Sequence, residues 1–456
     1  MSSDIKDNKS LKSNEFDAIG NDHDGIAKSQ RLSQEQDDVK RTIKGLQEDD
    51  LNDEFFSKVI GTRGTLVDWK PMEIECGENN FTKGKKQTMH STKKIGLFGY
   101  MIRYTSHSGS VVEWPVVMKS KPLDSDIPVL LKNNQKPGQR GGAEIAELQA
   151  ILTVSNVKLS HTREVAIVQM EELQQFLPQS YHSISSISEE MFAFVMEYLS
   201  NEHFTHLNTA DDISGWTTAD IKVVLRDMAK IHALFMDKVE WLNQQSWMDH
   251  THSRDVAITF CPLWKGSLAK VASKFPEFWT SKVVEMTTKA IDSMDELWKI
   301  FDSFPKTLIQ NDCNPRNICI RKVATDQSAN SDEDPRQMCI YDWEVARIDV
   351  PQHDLAEFLA FVLPPECPIQ RRMEMIEYYI EMLQKYSKRK FDHGNFLKVL
   401  DAAALDFQLN RLNMYTLAMM ENESLHFKFL SRVVGSNAAY LFQRKSDGHI
   451  KFISKL

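Results

Sequence analysis

Short apolar segments between polar turns in the first half of the chain are typical of β-strands. Three segments rich in β-branched and aromatic residues are separated by polar, glycine-containing turns: VDWKPMEIEC, FGYMIRYTS and EWPVVMKSKP. They predict an antiparallel sheet that starts after Phe55. Two later apolar segments, EVAIVQ and FAFVMEYLS, also have the composition of strands. This region is therefore predicted to be rich in sheet.

A helical period replaces this pattern in two places. In GAEIAELQAILTVSN, the apolar residues Ile145, Leu148 and Leu152 fall on one helical face. Further on, Thr217 or Thr218 can cap a helix that runs through ADIKVVLRDMAKIHALFM. From there onward, apolar residues mostly recur at helical intervals. The second half of the chain is therefore predicted to be mainly helical.

A polar loop and a hairpin interrupt the predicted helices. The segment TLIQNDCNPRNICIRK is typical of a loop followed by a short strand, and MCIYDWEVARI supplies a second strand after an acidic insert. Pairing of these strands brings Asp312, Asn317 and Asp342 to one end of the hairpin. Phosphoryl transfer needs such a set, because magnesium prefers oxygen ligands and the acceptor hydroxyl needs a neighbouring carboxylate.

Composition and charge limit the classes of protein to which the chain can belong. The chain has 456 residues, 41% of them hydrophobic, and a formal net charge of −9. The length allows two or three domains, and the acidic balance does not favour a nucleic-acid partner. Six cysteines lack CxxC spacing, which favours reduced core residues over a zinc site or disulfides. His250 and His252 have no evident third partner, so they are not expected to bind a metal.

Residues 1–50 are polar and poor in aromatic side chains, so a disordered tail is expected there. The tail has no pattern of a signal peptide or a transit peptide. The best apolar stretch, near Leu355 to Leu363, is far shorter than the roughly 20 residues that cross a bilayer. We therefore expect a cytoplasmic protein without a membrane partner.

The segments QNDCNPRN and YDWE resemble two motifs of the aminoglycoside phosphotransferase and choline kinase superfamily, H-x-D-x-x-x-x-N and x-D-W/F-E. The resemblance implies that Asp312 is the catalytic residue, which orients the acceptor hydroxyl and accepts its proton. It also implies that Asn317 and Asp342 hold magnesium and that ATP is the phosphoryl donor. The implied fold is α+β, protein-kinase-like and two-lobed, with a small antiparallel-sheet N-lobe and a mainly helical C-lobe.

The sequence departs from the superfamily within the catalytic loop. Gln310 stands where the superfamily has a histidine that braces the loop, and Asn311 stands where glycine is common. Asp354, in QHDLAEF, matches an aspartate that supports the site structurally. His232, in DMAKIHALF, matches a packed histidine that is not a ligand.

The resemblance also assigns residues to nucleotide binding. Lys119, after the apolar run in VVMKSKP, matches the lysine that holds the donor phosphates, and Lys121 on the same strand face is the alternative. Glu144 fits the spacing E-x-x-x-L of the carboxylate that pairs with this lysine, and Glu147 is the next candidate. The loop that covers the phosphates is not identified, because GENNFTKG and KKIGLFG contain no G-x-G-x-x-G.

The segment FAFVMEYLS resembles the connection between the two lobes. Backbone groups around Glu197, Tyr198 and Leu199 are expected to bond the edge of the adenine. This connection ends a nucleotide-binding lobe at residues 51–199 and begins a helical lobe at residues 200–456, which carries the catalytic hairpin and the acceptor site.

The acceptor stays open at the level of sequence, as does the oligomeric state. Acceptors in the superfamily include aminoglycosides, choline, homoserine and sugars. Glu344, Asp401, Asp406 and Glu421 are candidate partners for a cationic acceptor, although solvated helix faces explain these residues equally well. The segment after Asp342 has neither DFG nor A-P-E, which disfavours a protein acceptor.

A catalytically inactive nucleotide-binding pseudokinase or scaffold is the alternative hypothesis. Gln310 and the missing glycine motif favour it. The joint presence of Lys119, Asp312, Asn317 and Asp342 favours an active enzyme, because a scaffold has no physical need for all four.

Overall fold

The part of the chain described by the computed structural model consists of residues 44–74, 93–126, 158–207, 212–322, 334–421, 428–446 and 448. Most of the predicted tail lies outside these residues, as do the predicted helix around Leu148 and the segment GENNFTKG. Within the described ranges, no helix has both the length and the apolar character that a membrane span requires.

Five strands form an antiparallel sheet in the N-terminal part. They are β1 (Gly64–Met72), β2 (Gly96–Ser106), β3 (Val111–Ser120), β4 (Ser180–Ser186) and β5 (Met191–Glu197). Their order in the sheet is β1-β2-β3-β5-β4. The three predicted strands and the strand in FAFVMEYLS are thus confirmed.

A short helix, α1 (Asp53–Ile60), packs against this sheet. The Asn52 side chain caps it by accepting a backbone N–H of its first turn. Phe56 lies in one apolar cluster with Tyr100 of β2 and Val116 of β3. This cluster anchors the central strands from one side.

The segment EVAIVQ is helical, so the prediction of a strand there is wrong. It belongs to α2 (Ser160–Ile167). Val165 and Ile167 are buried, and so are the charged side chains of Arg163 and Glu164. A short run of β-branched residues has the same composition in a buried helix as in a strand, and periodicity does not separate the two.

Helices dominate the C-terminal part, as predicted. They are α3 (Thr218–Phe235), α4 (Val239–Asn243), α5 (Arg254–Lys274), α6 (Ser281–Asp292), α7 (Met294–Phe301), α8 (Gln352–Val362), α9 (Ile369–Ser387), α10 (His393–Phe407), α11 (Asn413–Glu421) and α12 (Leu430–Ser446). A π-helical turn, Gln408–Leu412, joins α10 to α11. The apolar faces of these helices meet in one large core. The predicted α+β organisation is confirmed.

The start of α3 shows how the sequence fixes a helix end. Thr217 is the cap, and its hydroxyl accepts the backbone N–H of Asp220 while the Asp220 carboxylate accepts the backbone N–H of Thr217. This reciprocal pair is a capping box. Of the two predicted caps, Thr217 is therefore correct.

Five short strands frame the polar loop. They are β6 (Phe204–His206), β7 (Thr307–Ile309), β8 (Ile318–Arg321), β9 (Gln337–Ile340) and β10 (Arg347–Asp349). Strands β6, β8 and β9 form one antiparallel sheet, and β7 pairs with β10. Ile318 lies opposite Ile340, which places Asn317 and Asp342 at the same end of the β8–β9 hairpin. The predicted hairpin is confirmed.

The described cysteines are all free: Cys261, Cys313, Cys319, Cys339 and Cys367. Cys76 lies outside the described residues.

Candidate active site

Asp312 lies in the loop between β7 and β8, and neighbouring side chains hold its carboxylate. Oδ1 accepts hydrogen bonds from Asn314 Nδ2 at 3.0 Å and from the Tyr415 hydroxyl at 2.8 Å. Oδ2 accepts one from Asn317 Nδ2 at 2.7 Å. The Arg411 guanidinium lies 3.7 Å from Oδ1. The carboxylate therefore has a fixed orientation, and its side chain is still 20% exposed.

Gln310 braces this loop in place of a histidine. Its Nε2 donates hydrogen bonds to the backbone carbonyls of Tyr341 and Asp342, at 3.1 and 2.8 Å. Its Oε1 accepts the backbone N–H of Asp312 at 2.7 Å. The Gln310 side chain is buried. One amide group thus ties the catalytic loop to the segment that carries Asp342.

Asn311 adopts a left-handed backbone conformation, with φ of 61°. Glycine and asparagine are the residues that tolerate this conformation best, so asparagine is a suitable replacement for the superfamily's glycine. The Asn311 side chain donates to the Val345 carbonyl at 2.9 Å, and its own carbonyl accepts a hydrogen bond from Arg411. Asp342 is also left-handed, with φ of 64°.

Asp354, in the first turn of α8, supports the loop through its backbone. Its Oδ2 accepts the N–H of Gln310 and its Oδ1 accepts the N–H of Asn311, both at 2.8 Å. The imidazole of His232 lies 3.2 Å from Asp354 Oδ2 through Nε2 and 2.6 Å from the Tyr379 hydroxyl through Nδ1. Asp354 and His232 are buried, and both make the structural contacts that the resemblance implies.

Two lysines at the end of β3 meet three carboxylates. Lys119 Nζ lies 2.6 Å from Asp342 Oδ1 and 2.7 Å from Glu164 Oε1. Lys121 Nζ lies 2.6 Å from Glu164 Oε2 and also contacts the Glu344 carboxylate. Glu164 therefore bridges the two lysines, using one oxygen for each. The network connects the N-terminal sheet to the end of the catalytic hairpin.

Burial and neighbouring charges have opposite effects on the pKa values of Lys119 and Asp342. Burial lowers the pKa of Lys119, but attraction to Asp342 and Glu164 outweighs it and holds this pKa above its ordinary value. Burial raises the pKa of Asp342 to about 6, although the positive charge of Lys119 opposes the rise. At neutral pH, Lys119 is charged and Asp342 is mostly ionised.

Glu164 of α2 is the carboxylate that contacts Lys119 in the described N-terminal part. The predicted partner, Glu144, lies outside the described residues, as does Glu147. A strand in EVAIVQ gives no reason to expect the Glu164 side chain near Lys119. The contact between these two residues is therefore not predicted from the sequence. An acidic residue inside an apolar segment is the one local signal that points to it.

Glu197 is the last residue of β5, and Tyr198 and Leu199 follow it. Arg321 of β8 donates hydrogen bonds to both Glu197 carboxylate oxygens, each at 3.0 Å. The Leu199 carbonyl lies 2.8 Å from His206 Nε2. The Glu197 side chain therefore links β5 to β8. Any contact between Glu197 and adenine would involve its backbone groups.

A cavity lies beside the catalytic loop on the side of the helices. Its wall is formed by Asn311, Arg347, His353, Glu357, Asp406, Phe407, Asn410 and Arg411. Burial, together with the nearby Asp312 charge, raises the pKa of Glu357 to about 8. Burial lowers the pKa of His353 to about 3. At neutral pH, both side chains are mostly uncharged.

Among the acidic residues considered for a cationic acceptor, Asp406 lines this cavity. Arg347 lies 3.9 Å from its carboxylate, so a cation already faces Asp406. Asp401 is buried in an ion pair elsewhere among the helices, and Glu344 belongs to the lysine network. The side chain of Glu421 is outside what the structure describes.

One group of three possible metal ligands occurs within the described ranges. It consists of Glu164, Asp342 and Glu344, whose carboxylate oxygens lie within 4.8 Å of one another. His250 and His252 do not belong to it. His252 Nε2 instead lies 3.4 Å from Asp349.

Arg411 and Tyr415 contact the catalytic loop from about 100 positions further along the chain, with Tyr415 separated from Asp312 by 103 residues. Both residues lack a recognisable signal in the sequence. Neither belongs to a motif, and in the sequence they do not differ from ordinary residues of a helix. Only the packing of the π-helical turn, which carries Arg411, and of α11, which carries Tyr415, against the loop identifies them.

Comparison with known protein families gives one match. Residues 158–390, just over half of the chain, match the ecdysteroid kinase-like family. No individually curated protein matches the sequence.

Three solved structures are similar at low identity. A microcompartment-associated aminopropanol kinase is 13% identical over 87% of this chain and 98% of that chain, with a TM-score of 0.42. A choline kinase from Streptococcus pneumoniae is 11% identical over 88% and 99%, with a TM-score of 0.41. An ethanolamine kinase from Plasmodium vivax is 10% identical over 94% and 97%, with a TM-score of 0.38.

These structural similarities are too remote to carry an argument about substrate. The family match is stronger, because it spans the catalytic loop, Asp342 and Glu164. It confirms the kinase superfamily that the two motifs predicted. This chain is a small-molecule kinase and belongs to the ecdysteroid kinase-like family.

Proposed function

We propose that this kinase transfers the γ-phosphoryl group of ATP, with magnesium, to a hydroxyl of a small organic molecule. One observation carries the proposal, the convergence of four side chains at the end of the β8–β9 hairpin. Asn317 contacts Asp312 at 2.7 Å. Lys119 contacts Asp342 at 2.6 Å. A base, a metal-binding pair and a cation for the phosphates are the groups that this reaction needs.

The donor set suits magnesium, which prefers oxygen ligands. Asp342 offers carboxylate oxygens at the end of the hairpin, whereas the neighbouring Glu164 and Glu344 already contact Lys119 and Lys121. The amide nitrogen of Asn317 donates to Asp312, which leaves its amide oxygen for a metal. We assign the ion to Asn317 and Asp342. When bound, it neutralises charge on the donor phosphates.

In this proposal the chain's own residues orient the reactants. Asp312 positions the acceptor hydroxyl and accepts its proton. Lys119 binds the donor phosphates. Because Lys119 and Asp342 contact each other directly, the lysine exchanges one anionic partner for another when the phosphates enter.

The proposal includes the adenine contacts, the boundary between the lobes and the location of the enzyme. Backbone groups of Glu197, Tyr198 and Leu199 bond the adenine, and the two lobes divide at residues 51–199 and 200–456. The enzyme is proposed to act in the cytoplasm on a free small molecule.

The acceptor is proposed to bind against the side chains beside the catalytic loop, because the cavity that they line has a volume of about 20 Å³, which is room for about one water molecule. Glu357 and His353 are mostly uncharged there, and Arg347 faces the charge of Asp406. A cationic acceptor therefore gains little attraction from the wall. This favours an uncharged sugar-like alcohol over a choline-like or aminoglycoside-like acceptor. Ecdysteroids, which the family's name mentions, are further candidates.

The inactive scaffold is the less favoured alternative. Its main support is the glutamine at position 310, and Gln310 makes the contacts of a brace. A thermal shift with ATP, with and without magnesium, separates the two hypotheses. A scaffold that does not bind nucleotide shows no shift in either condition.

The test is acceptor-dependent ADP release over a panel of sugars, ecdysteroids, choline, homoserine and aminoglycosides. The wild type is compared with Asp312→Ala and with Asp302→Ala, which changes an aspartate that is 52% exposed. Loss of a catalytic base costs about 100-fold or more in kcat, and Asp302→Ala should leave kcat unchanged. A wild type that neither binds ATP with magnesium nor releases ADP contradicts the proposal.

A further inference from the structure

The π-helical turn Gln408–Leu412 determines which residues of the C-terminal helices face Asp312. It separates α10 from α11 within one continuous helical stretch. A π turn accommodates an extra residue, which rotates the following side chains by about 100° relative to an uninterrupted α-helix. Arg411 in the turn and Tyr415 four residues later both point to the catalytic loop.

The two carboxylate oxygens of Asp312 have unequal surroundings. Each carboxylate oxygen has two lone pairs for hydrogen bonds. At Oδ1 both are used, by the Tyr415 hydroxyl at 2.8 Å and by Asn314 Nδ2 at 3.0 Å. At Oδ2, Asn317 Nδ2 donates at 2.7 Å and is the sole donor among the described residues. One lone pair of Oδ2 is therefore left for an incoming hydroxyl.

Two further contacts fix this arrangement. Arg316 donates a hydrogen bond to the Tyr415 hydroxyl at 3.1 Å, so the hydroxyl oxygen accepts there and its proton is directed to Asp312. Arg411 donates to the carbonyl of Asn311, the left-handed residue that precedes Asp312. The arginine thus holds the backbone from which the Asp312 side chain projects.

We propose that Tyr415 and Arg411 are positioning residues that present Oδ2 of Asp312, and not Oδ1, to the acceptor hydroxyl. The inference rests on the proposed phosphotransfer. The acceptor O–H bond breaks and its proton binds Oδ2. The acceptor oxygen bonds to the γ-phosphorus, and the bond from that phosphorus to the β,γ-bridging oxygen breaks, so ADP leaves with this electron pair.

The first test compares two tyrosines that each hold a carboxylate. Tyr415 bonds Asp312, and the Tyr440 hydroxyl lies 2.7 Å from Asp401 Oδ1. Tyr415→Phe should lower kcat by about 10-fold or more, the range for loss of a hydrogen bond to a charged group. The Kd for ATP should stay the same. Tyr440→Phe should leave kcat unchanged. An unchanged kcat in Tyr415→Phe overturns the inference.

The second test asks whether Tyr415 acts through Asp312. In the Asp312→Ala background, Tyr415→Phe should cause no further loss of kcat, because the group that it positions is already absent. Additive losses indicate a merely structural role and contradict the inference. Arg411→Lys, which keeps a donor near Asn311, should retain part of the kcat that Arg411→Gln loses. Equal losses in these two variants contradict the role of Arg411.

A third measurement does not depend on the acceptor. In a crystal structure of Tyr415→Phe, the Asp312 carboxylate should rotate and the bond between Oδ2 and Asn317 should lengthen or break. An unchanged carboxylate overturns the inference. A wild type without transfer activity contradicts the proposed function alone, and this comparison still decides the positioning role.

Discussion

The side chain of Gln310 donates a hydrogen bond to the backbone carbonyl of Asp342, with 2.8 Å between Nε2 and the oxygen. The same amide accepts the backbone N–H of Asp312 through Oε1. It therefore sets the distance between the proposed base and the proposed metal ligand. A histidine at this position is not required for the two segments to be connected.

Gln310→Ala should reduce both activity and stability. Removal of the amide leaves buried backbone groups without partners, which costs about 2 kcal/mol in the free energy of unfolding. Misplacement of Asp312 should lower kcat by about 10-fold or more. Gln174→Ala is the matched control, because Gln174 also donates to two carbonyls, those of Val168 and Met170. It should lower stability without changing kcat. Steady-state kinetics and urea unfolding check both variants, and an unchanged kcat in Gln310→Ala contradicts the brace.

Lys119 and Lys121 should differ in what their loss affects. The Lys119 side chain is 16% exposed and contacts Asp342, whereas the Lys121 side chain is 2% exposed. Lys119→Met should abolish measurable ATP binding or weaken it strongly. Lys121→Met should mainly lower the free energy of unfolding, by about 3 kcal/mol, because it leaves a buried carboxylate with one cation fewer. Calorimetric ATP titration and denaturant unfolding distinguish the two. The reverse pattern would make Lys121 the phosphate-binding lysine.

Glu164 and Glu144 are alternative candidates for the carboxylate that pairs with Lys119. Glu164→Gln removes the negative charge between two buried cations, so the free energy of unfolding should fall by about 3 kcal/mol. The Kd for ATP should rise, because the two lysines then repel each other and Lys119 loses its position. Glu144→Gln should have the smaller effect on both quantities. Equal or larger effects of Glu144→Gln would restore the assignment made from sequence spacing.

Glu357 should make the free energy of unfolding depend on pH between about pH 5 and pH 8. Burial raises its pKa from an ordinary value of 4.5 to about 8 in the folded protein. As the pH rises, the unfolded chain releases this proton first, so ionisation favours unfolding between about pH 5 and pH 8. Glu357→Gln cannot ionise and should gain stability relative to the wild type by about 1 kcal/mol per pH unit in this window.

Urea unfolding at a series of pH values measures this difference. Glu374→Gln, at an exposed position of α9, is the control and should show no such trend. A wild type and a Glu357→Gln variant whose stabilities run parallel from pH 5 to pH 8 would contradict the shifted pKa.

Much of the fold follows from local patterns in the sequence. The strands around Trp69 and Val116 are rich in β-branched and aromatic residues and lie between polar turns, and the helix after Thr217 combines a cap with an apolar face. These signals come from residues that are close together in the sequence, so they do not depend on tertiary contacts. The segment around Val165 does not have such a signal, since a buried helix and a buried strand have the same apolar composition.

The candidate site is predictable to the extent that it lies on one hairpin. Asp312, Asn317 and Asp342 belong to two motifs whose pairing follows from strand register. Glu164 and Tyr415 reach the same place from α2 and α11 through tertiary packing. No spacing rule connects elements that are separated by more than 100 residues, so these contacts required the structure.

Because one carboxylate serves two lysines, positions 119, 121 and 164 cannot vary independently. A neutral residue at 164 leaves two like charges side by side, and a neutral residue at 121 leaves Glu164 with a single counter-ion. A change that is harmful alone is therefore expected to be tolerated when its partner changes with it. Among homologues, these three positions should covary, and pairwise epistasis should be strongest between 121 and 164.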